Sequence, residues 1–104
     1  MTVCRNDDRW DQSNVVYENG QIFRYDKKMR TPDMRFIDYG LGVFRASVFA
    51  GRDEHEAFDL AAVYQGLLAN HDLAGFEVTG RFYEIGSPAG LDETRVHLAG
   101  KERV

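Results

Sequence analysis

The chain has 104 residues, enough for one domain or for part of one. Thirteen basic side chains against seventeen acidic ones leave a formal net charge of −4 and a pI near 5.3. This acidic balance argues against nucleic acid or an anionic membrane as partner, since both favour a basic surface. The single cysteine, Cys4, excludes disulfide frameworks and multi-cysteine metal sites.

The start of the chain shows no targeting pattern. Charged residues between Arg5 and Arg9 interrupt it, so it lacks the apolar core of a secretory signal. The longest uncharged apolar run, residues 60–70, is far shorter than the ~20 residues that a bilayer span needs. We therefore expect a soluble, cytoplasmic protein whose lone thiol stays reduced.

The first two predicted elements are a strand over residues 1–4 and a β-hairpin over residues 14–25. Asn19-Gly20 separates two runs of β-forming residues, and both of these residues tolerate the positive φ of a type I′ turn. A two-residue loop predicts these cross-strand pairs: Tyr17 with Ile22, and Val16 with Phe23.

A second strand is predicted over residues 37–43. Gly40 and Gly42 alternate there with bulky residues, which is typical of a strand that another backbone or a ligand approaches closely. Residues 27–35 form a basic, irregular stretch before it, and residues 45–49 predict a short helical turn after it.

The second half of the chain predicts two helices. Asp59 is a candidate N-cap for a helix over residues 60–70. Its apolar residues follow the spacing of one buried face: Leu60, Val63, Tyr64, Leu67 and Leu68. Short strands are predicted at 76–78 and 82–85. Ser87 and Pro88 then begin a helix over residues 88–99, with Leu91 and Leu98 as its core contacts.

Most residues with reactive side chains carry no recognisable motif. Neither a glycine-rich phosphate loop nor a catalytic triad can be assembled from the spacing. His55, His71 and His97 fall in predicted loops or on a helix surface, where we expect solvated side chains. Cys4 lies in an apolar strand and is predicted to be a small buried hydrophobe.

Two local patterns point to chemistry. Asp26-Lys27-Lys28 directly follows the second hairpin strand, where lysine can neutralise a phosphate and aspartate can accept from a hydroxyl; a solvated charge run is the alternative. Glu84, which precedes a glycine turn and a helix start, is placed to bind a hard cation such as Mg²⁺. Its alternative is a water-facing glutamate in a strand-to-helix connection.

Together and in this order, these patterns resemble the sugar-1-phosphate nucleotidyltransferases, which make nucleotide-sugars. Residues 14–20 are similar to the strand and turn before the family's Glu-Lys pair, and Asp26-Lys27 falls where that pair belongs. Residues 37–44 resemble the strand that lines the sugar pocket, and residues 82–88 resemble the family's acid-Ile-Gly-Thr-Pro motif. Residues 30–40 are most similar to bacterial mannose- or heptose-1-phosphate guanylyltransferases.

The resemblance implies an α/β fold, the C-terminal portion of a Rossmann-like nucleotidyltransferase domain, with a mixed sheet, a β-hairpin and two main helices. It implies Mg²⁺ as cofactor, with a sugar 1-phosphate and a nucleoside triphosphate as substrates. Lys27 is then the catalytic residue and binds the sugar phosphate. Asp26, Tyr39 and Gly40 complete the sugar-phosphate site, and Glu84 binds the metal.

The sequence also departs from the family. It has no Gly-Gly-x-Gly-Thr-Arg segment and no Leu-Gly-Asp motif, and residues 1–3 match a strand in the middle of such an enzyme. We therefore expect residues 1–104 to be the acceptor half of the domain, inactive unless the N-terminal nucleotide-binding half is supplied. The expected protein partner is that N-terminal half or a second copy of the chain. The alternatives are a non-catalytic remnant or interaction module of the family, or an unrelated α+β binding domain.

Overall fold

The computed structural model describes residues 1–101, and they contain five strands, two α-helices and a 3-10 helix. The strands are β1 (Thr2–Arg5), β2 (Val15–Glu18), β3 (Gln21–Tyr25), β4 (Phe36–Asp38) and β5 (Phe76–Val78). The 3-10 helix spans Ala46–Phe49, and the α-helices are α1 (Leu60–Ala69) and α2 (Pro88–Ala99). The predicted mixed α/β architecture with a β-hairpin and two main helices is confirmed.

One mixed sheet holds all five strands in the order β3-β2-β4-β1-β5. Only β1 and β5 are parallel; the other neighbours run antiparallel. An isolated antiparallel bridge between Gln21 and Ala74 joins the two ends of this order, so the sheet curls towards closure. The strand predicted at the start of the chain is therefore interior to the sheet, between β4 and β5.

The hairpin is confirmed, with one change of register. Asn19 and Gly20 have φ values of 49° and 83°, as a type I′ turn requires. Tyr17 lies opposite Ile22 as predicted, but Val16 lies opposite Arg24, which leaves Phe23 as the extra residue of a bulge. The bulge lets two residues three positions apart, Ile22 and Tyr25, both face the interior.

The core lies between the curled sheet and α1. Val3 and Val15 are completely buried at its centre. Helix α1 packs on β3 and contributes Tyr64 to the core. Its start is as predicted, because the Asp59 side chain accepts a hydrogen bond of 2.9 Å from the Ala61 N–H. It ends one residue earlier than predicted, at Ala69.

The strand predicted over residues 37–43 is wrong beyond Asp38. Gly40 takes a φ of 96°, which turns the chain out of the extended conformation. The close approach predicted at the glycines is found at Gly42, where the Tyr64 hydroxyl fills the space that a Cβ would need. The approaching group is thus a side chain of α1.

Two predictions around α2 are also wrong. Residues 82–85 form no strand, because the carbonyl of Glu84 accepts from the Thr94 hydroxyl of the following helix and not from a neighbouring strand. Leu98 is 54% exposed and is not a core residue, whereas Leu91 is half-buried. Ser87 caps α2 as predicted, by accepting from the Gly90 N–H.

None of the helices within residues 1–101 has both the length and the apolar character that crossing a membrane demands.

Candidate functional site

The first candidate site lies at one edge of the sheet, where β3 and β4 end. Both strands pair antiparallel with β2, so they run in the same direction and their carboxyl ends meet at the same edge. Asp26 directly follows β3, and Tyr39 and Gly40 directly follow Asp38 at the end of β4. The structure therefore brings together two segments that the sequence analysis assigned to one site.

Asn14 connects these two strand ends. Its carbonyl oxygen accepts from the Asp26 N–H at 3.1 Å. Its side-chain oxygen Oδ1 accepts from the Asp38 N–H, also at 3.1 Å. One residue thus fixes the backbones that carry both carboxylates. In the sequence, Asn14 is recognisable only as the start of the hairpin, because a residue that bonds two distant segments has no local pattern.

Asp26 is held in an ionised, oriented state. Its Oδ1 accepts from the backbone N–H groups of Met29 and Lys28, at 3.0 and 2.8 Å. These two donors hold the pKa of the Asp26 carboxyl below its usual range. The other oxygen, Oδ2, has no hydrogen-bond partner within residues 1–101 and can accept from a ligand hydroxyl. Lys27, the next residue, is exposed to solvent.

Two buried tyrosines lie beneath this edge. The rings of Tyr25 and Tyr64 meet edge to face with centroids 5.7 Å apart. Burial raises the pKa of both hydroxyls, and the Asp38 carboxylate raises it further. Both hydroxyls therefore remain protonated hydrogen-bond donors at neutral pH. The sequence analysis assigned these residues to the hairpin and the helix core, since their proximity depends on tertiary packing.

A cleft of about 750 Å³ opens beyond the end of β4, on the side where Ala74 bridges Gln21 at the start of β3. It lies where β1 and β5 begin, which is the edge where β4 ends, because β1 and β4 are antiparallel. Its walls come from residues 1–2, 43–45, 47–48, 67 and 72–76. Val43 and Phe44 are the last two residues of the segment predicted to line a sugar pocket, and Arg45 brings a cation. Asp26 and Lys27 lie outside its walls.

Glu84 is placed elsewhere, in the turn that begins α2. Its Oε1 accepts from the Ser87 hydroxyl at 2.7 Å, and its Oε2 accepts from the Gly86 N–H at 2.6 Å. The Ser87 hydroxyl in particular holds the pKa of this carboxyl below its usual range. Gly90 makes room for the carboxylate, which occupies the space of a Cβ.

Glu84 is not joined to the strand ends. Strand β5 is parallel to β1 and runs away from the edge where β4 ends, and Glu84 lies six residues beyond Val78. Within residues 1–101, no hydrogen bond or ion pair links Glu84 to Asp26 or Lys27.

The side chains that could bind Mg²⁺ show how well the site fits this ion. The part of the chain that the structure describes holds no group of three or more His, Cys, Asp or Glu side chains arranged for a metal ion. Mg²⁺ commonly takes one or two protein carboxylates and fills its remaining positions with phosphate and water. Glu84 supplies one carboxylate, so a Mg²⁺ ion held there would take most of its ligands from phosphate and water.

Replacing Glu84 by glutamine is expected to weaken the start of α2. The variant loses the charge that strengthens the bonds to Ser87 and Gly86. Because the pKa of Glu84 is lowered in the fold, its stabilisation is complete at neutral pH and disappears as the pH falls through that lowered pKa. Circular dichroism should show less helix than wild type at pH 7 and equal helix in acid.

Glu77 provides the matched control, since it is a carboxylate of β5 outside α2. Glu77→Gln should leave the helix content and its acid dependence unchanged. Equal behaviour of the two variants would show that Glu84 is only a solvated charge.

The remaining reactive side chains follow the sequence analysis with one exception. Cys4 is buried, with its thiol 3.4 Å from the Gly80 carbonyl oxygen. His55 and His71 are exposed. The prediction is wrong for His97, whose ring stacks on Tyr83 at a centroid distance of 3.8 Å. A ring stack between a helix residue and a residue of the segment before the helix has no recognisable spacing in the sequence.

Comparison with protein-family models, with curated proteins and with solved structures finds no match to this chain.

Proposed function

We propose that this chain is the acceptor-side part of a sugar-1-phosphate nucleotidyltransferase. It would hold a sugar 1-phosphate whose phosphate oxygen attacks the α-phosphorus of a nucleoside triphosphate, so that pyrophosphate leaves. The proposal includes the finer fold assignment, the C-terminal portion of a Rossmann-like domain. Its main support is that Asn14 fixes the ends of β3 and β4 together, and that a cleft of about 750 Å³ lies beyond the end of β4. That volume is within the range of small-molecule sites.

The proposed roles follow from the strand-end geometry. Asp26 has one oxygen fixed by backbone N–H groups, and the other accepts from a sugar hydroxyl. Lys27 donates to the phosphate and stabilises negative charge that develops on it, which is the main requirement of this chemistry. Tyr39 and Gly40, which directly follow β4 and are not part of the cleft walls, complete the proposed sugar-phosphate site.

Glu84 and Mg²⁺ have a separate place in the proposal. The ion, when bound, supplies charge neutralisation at the phosphates. Glu84 would hold it through a carboxylate that is ionised at neutral pH, because its hydrogen bonds lower its pKa. The strand-end residues bind the sugar 1-phosphate without it.

Calorimetric titration of the chain with mannose 1-phosphate, mannose and inorganic phosphate tests the proposal. Mannose 1-phosphate should bind more tightly than either of its parts, since it alone engages Asp26 and Lys27 together. Equal affinity for all three ligands, or no binding of mannose 1-phosphate, would overturn the proposed function.

We also expect no nucleotidyl transfer by the chain alone. The sequence lacks the glycine-rich segment whose backbone N–H groups would hold the nucleotide phosphates. A pyrophosphate-release assay with Mg²⁺, sugar phosphates and a panel of nucleoside triphosphates measures this. Release above the rate without protein would contradict the expectation.

A non-catalytic interaction module is the second candidate, and the rim of the cleft favours it. Val43 is 90% exposed and Phe76 is 71% exposed, and both line the same cleft. Exposed apolar patches of this kind occur at protein–protein interfaces. Phe76 also begins β5, whose edge beyond the Gln21–Ala74 bridge can pair with a strand of a second copy.

Light scattering after size-exclusion chromatography distinguishes the two candidates. If a second copy covers the rim, the molar mass should rise with concentration, and a Val43→Ser/Phe76→Ser variant should remain monomeric. Val96→Ser, an equally polar change at an exposed site on α2, should not affect the mass. A monomer at every concentration would reject the interaction module.

A further inference from the structure

Helix α2 is attached to the molecule in an unusual way. Gly90 is its only buried residue, while Val96 and Leu98 are 76% and 54% exposed. A helix that packs on a sheet normally buries a continuous apolar face. Most of the stabilisation of α2 must therefore come from another source than burial against the sheet.

That source is the segment directly before the helix. Arg81 forms an ion pair of 2.8 Å with Glu93, and Tyr83 stacks on His97 with the ring planes 14° apart. The Thr94 hydroxyl donates to the Glu84 carbonyl at 3.0 Å. These three contacts, spread along α2, all return to residues 81–84. Residues 81–99 thus form a locally folded unit, which we name the α2 arm.

The arm is fastened to the rest of the protein mainly at Trp10. The Arg81 guanidinium lies 4.8 Å from the centre of the Trp10 ring, and the Phe82 ring meets it edge to face at 5.8 Å. Trp10 lies in the loop after β1, and its backbone N–H donates to the side-chain oxygen of the buried Asn6. The fastening point is therefore fixed to the sheet, although the arm itself is not.

Gly80 lies between the last strand and the arm. A Cβ at this position would have no heavy atom within 4 Å, so the space on that side of the backbone is open. The Gly80 carbonyl accepts from the Cys4 thiol at 3.4 Å, and a thiol is a weak donor. This residue combines glycine's conformational freedom with open space, as a hinge requires.

We propose that the α2 arm is a hinged unit that turns about Gly80 and is latched to the sheet by Trp10. Opening breaks the contacts of Arg81 and Phe82 with Trp10 but keeps those within the arm. It costs less free energy than global unfolding, because the core around Val3 and Val15 stays intact. Since Glu84 belongs to the arm, the state of the latch sets where this carboxylate lies relative to the sheet. The motion itself does not depend on the proposed function.

Hydrogen exchange and the fluorescence of Trp10, which is the one tryptophan of the chain, test this proposal. Phe82→Ala removes half of the latch and keeps the reporter. We expect a red shift of the emission, and exchange of the α2 amides about ten-fold faster than in wild type, without faster exchange in β1 or β4. Ile85→Ala is the control, because it truncates an exposed apolar side chain of the same arm.

The exchange rates distinguish an arm that opens on its own from one that unfolds together with the sheet. Faster exchange in α2 alone, together with an unchanged control, supports the hinged arm. Equal acceleration in α2 and β1 means that the arm and the sheet unfold as one unit, and it overturns the proposal. So does an α2 whose exchange is unchanged in Phe82→Ala. These readouts need no ligand, so the proposed function can fail without affecting them.

Discussion

Lys27→Ala is expected to weaken the binding of mannose 1-phosphate by about ten- to a hundred-fold, the usual effect of losing one charge-assisted contact. Lys27 directly follows Asp26, whose carboxylate is fixed by two backbone N–H groups at the end of β3. The lysine therefore starts from a fixed backbone position. Binding of neutral mannose should be almost unchanged, because only the phosphate contact is lost. Calorimetric titration with both ligands measures the difference.

Lys101→Ala is the matched control, since it removes the same charge from an exposed lysine that follows α2. It should bind mannose 1-phosphate as wild type does. An equal loss in both variants would mean that the phosphate responds to net charge alone. Lys27 would then be part of a solvated charge run, which is the alternative that its sequence context allows.

Asn6→Ala should lower the free energy of unfolding by about 2–4 kcal/mol, because three polar groups, among them the buried Ser13 hydroxyl, lose their partner at once. The Asn6 side chain is completely buried. Its amide donates to the Asp11 carbonyl at 2.7 Å and to the Ser13 hydroxyl at 3.0 Å, and its Oδ1 accepts from the Trp10 N–H. Urea denaturation followed by circular dichroism measures the loss.

Three further variants show whether the hydrogen-bond network of Asn6 is the cause. Ser13→Ala should lower the free energy of unfolding by less than Asn6→Ala does. The loss in the double variant should be smaller than the sum of the two single losses, because both changes break the same hydrogen bond. Asn70→Ala changes an exposed asparagine at the end of α1 and should cost little. Additive costs for Asn6 and Ser13 would contradict a shared network.

The elements that were predictable from the sequence are those whose cause is local. Asn19-Gly20 requires only two neighbouring residues that tolerate positive φ, and the turn is found there. Asp59 and Ser87 each cap a helix through a bond to a residue two or three positions away. In each case the residue that explains the structure lies next to it in the sequence.

The errors arise where distant segments decide the structure. The register of β2 and β3 shifts at Phe23 because both Ile22 and Tyr25 must reach a core that includes α1. Residues 82–85 have the alternation of apolar and polar side chains that is typical of a strand. In the structure, however, the Glu84 carbonyl accepts from a side chain of α2, and the Phe82 ring packs against Trp10. No window of neighbouring residues contains that information.

The residues of the candidate site also fall into those that are recognisable from local sequence and those that depend on distant segments. Asp26 and Lys27 were recognisable because their position after a strand is a local property. Asn14, Tyr25 and Tyr64 were not, because their importance depends on which strands lie side by side and on where α1 packs. The relation of Glu84 to the strand ends is also long-range, and the position of the α2 arm governs it.

The place of β1 in the sheet has a consequence for synthesis on the ribosome. Val3 is paired with Asp38 on one side and with Glu77 on the other, so both partners are translated long after it. When translation has only reached α1, β5 has not yet been made, so the side of β1 that pairs with β5 has no partner. The sheet must therefore assemble late in translation, and until then the β1 backbone is open to chaperones or to other nascent chains.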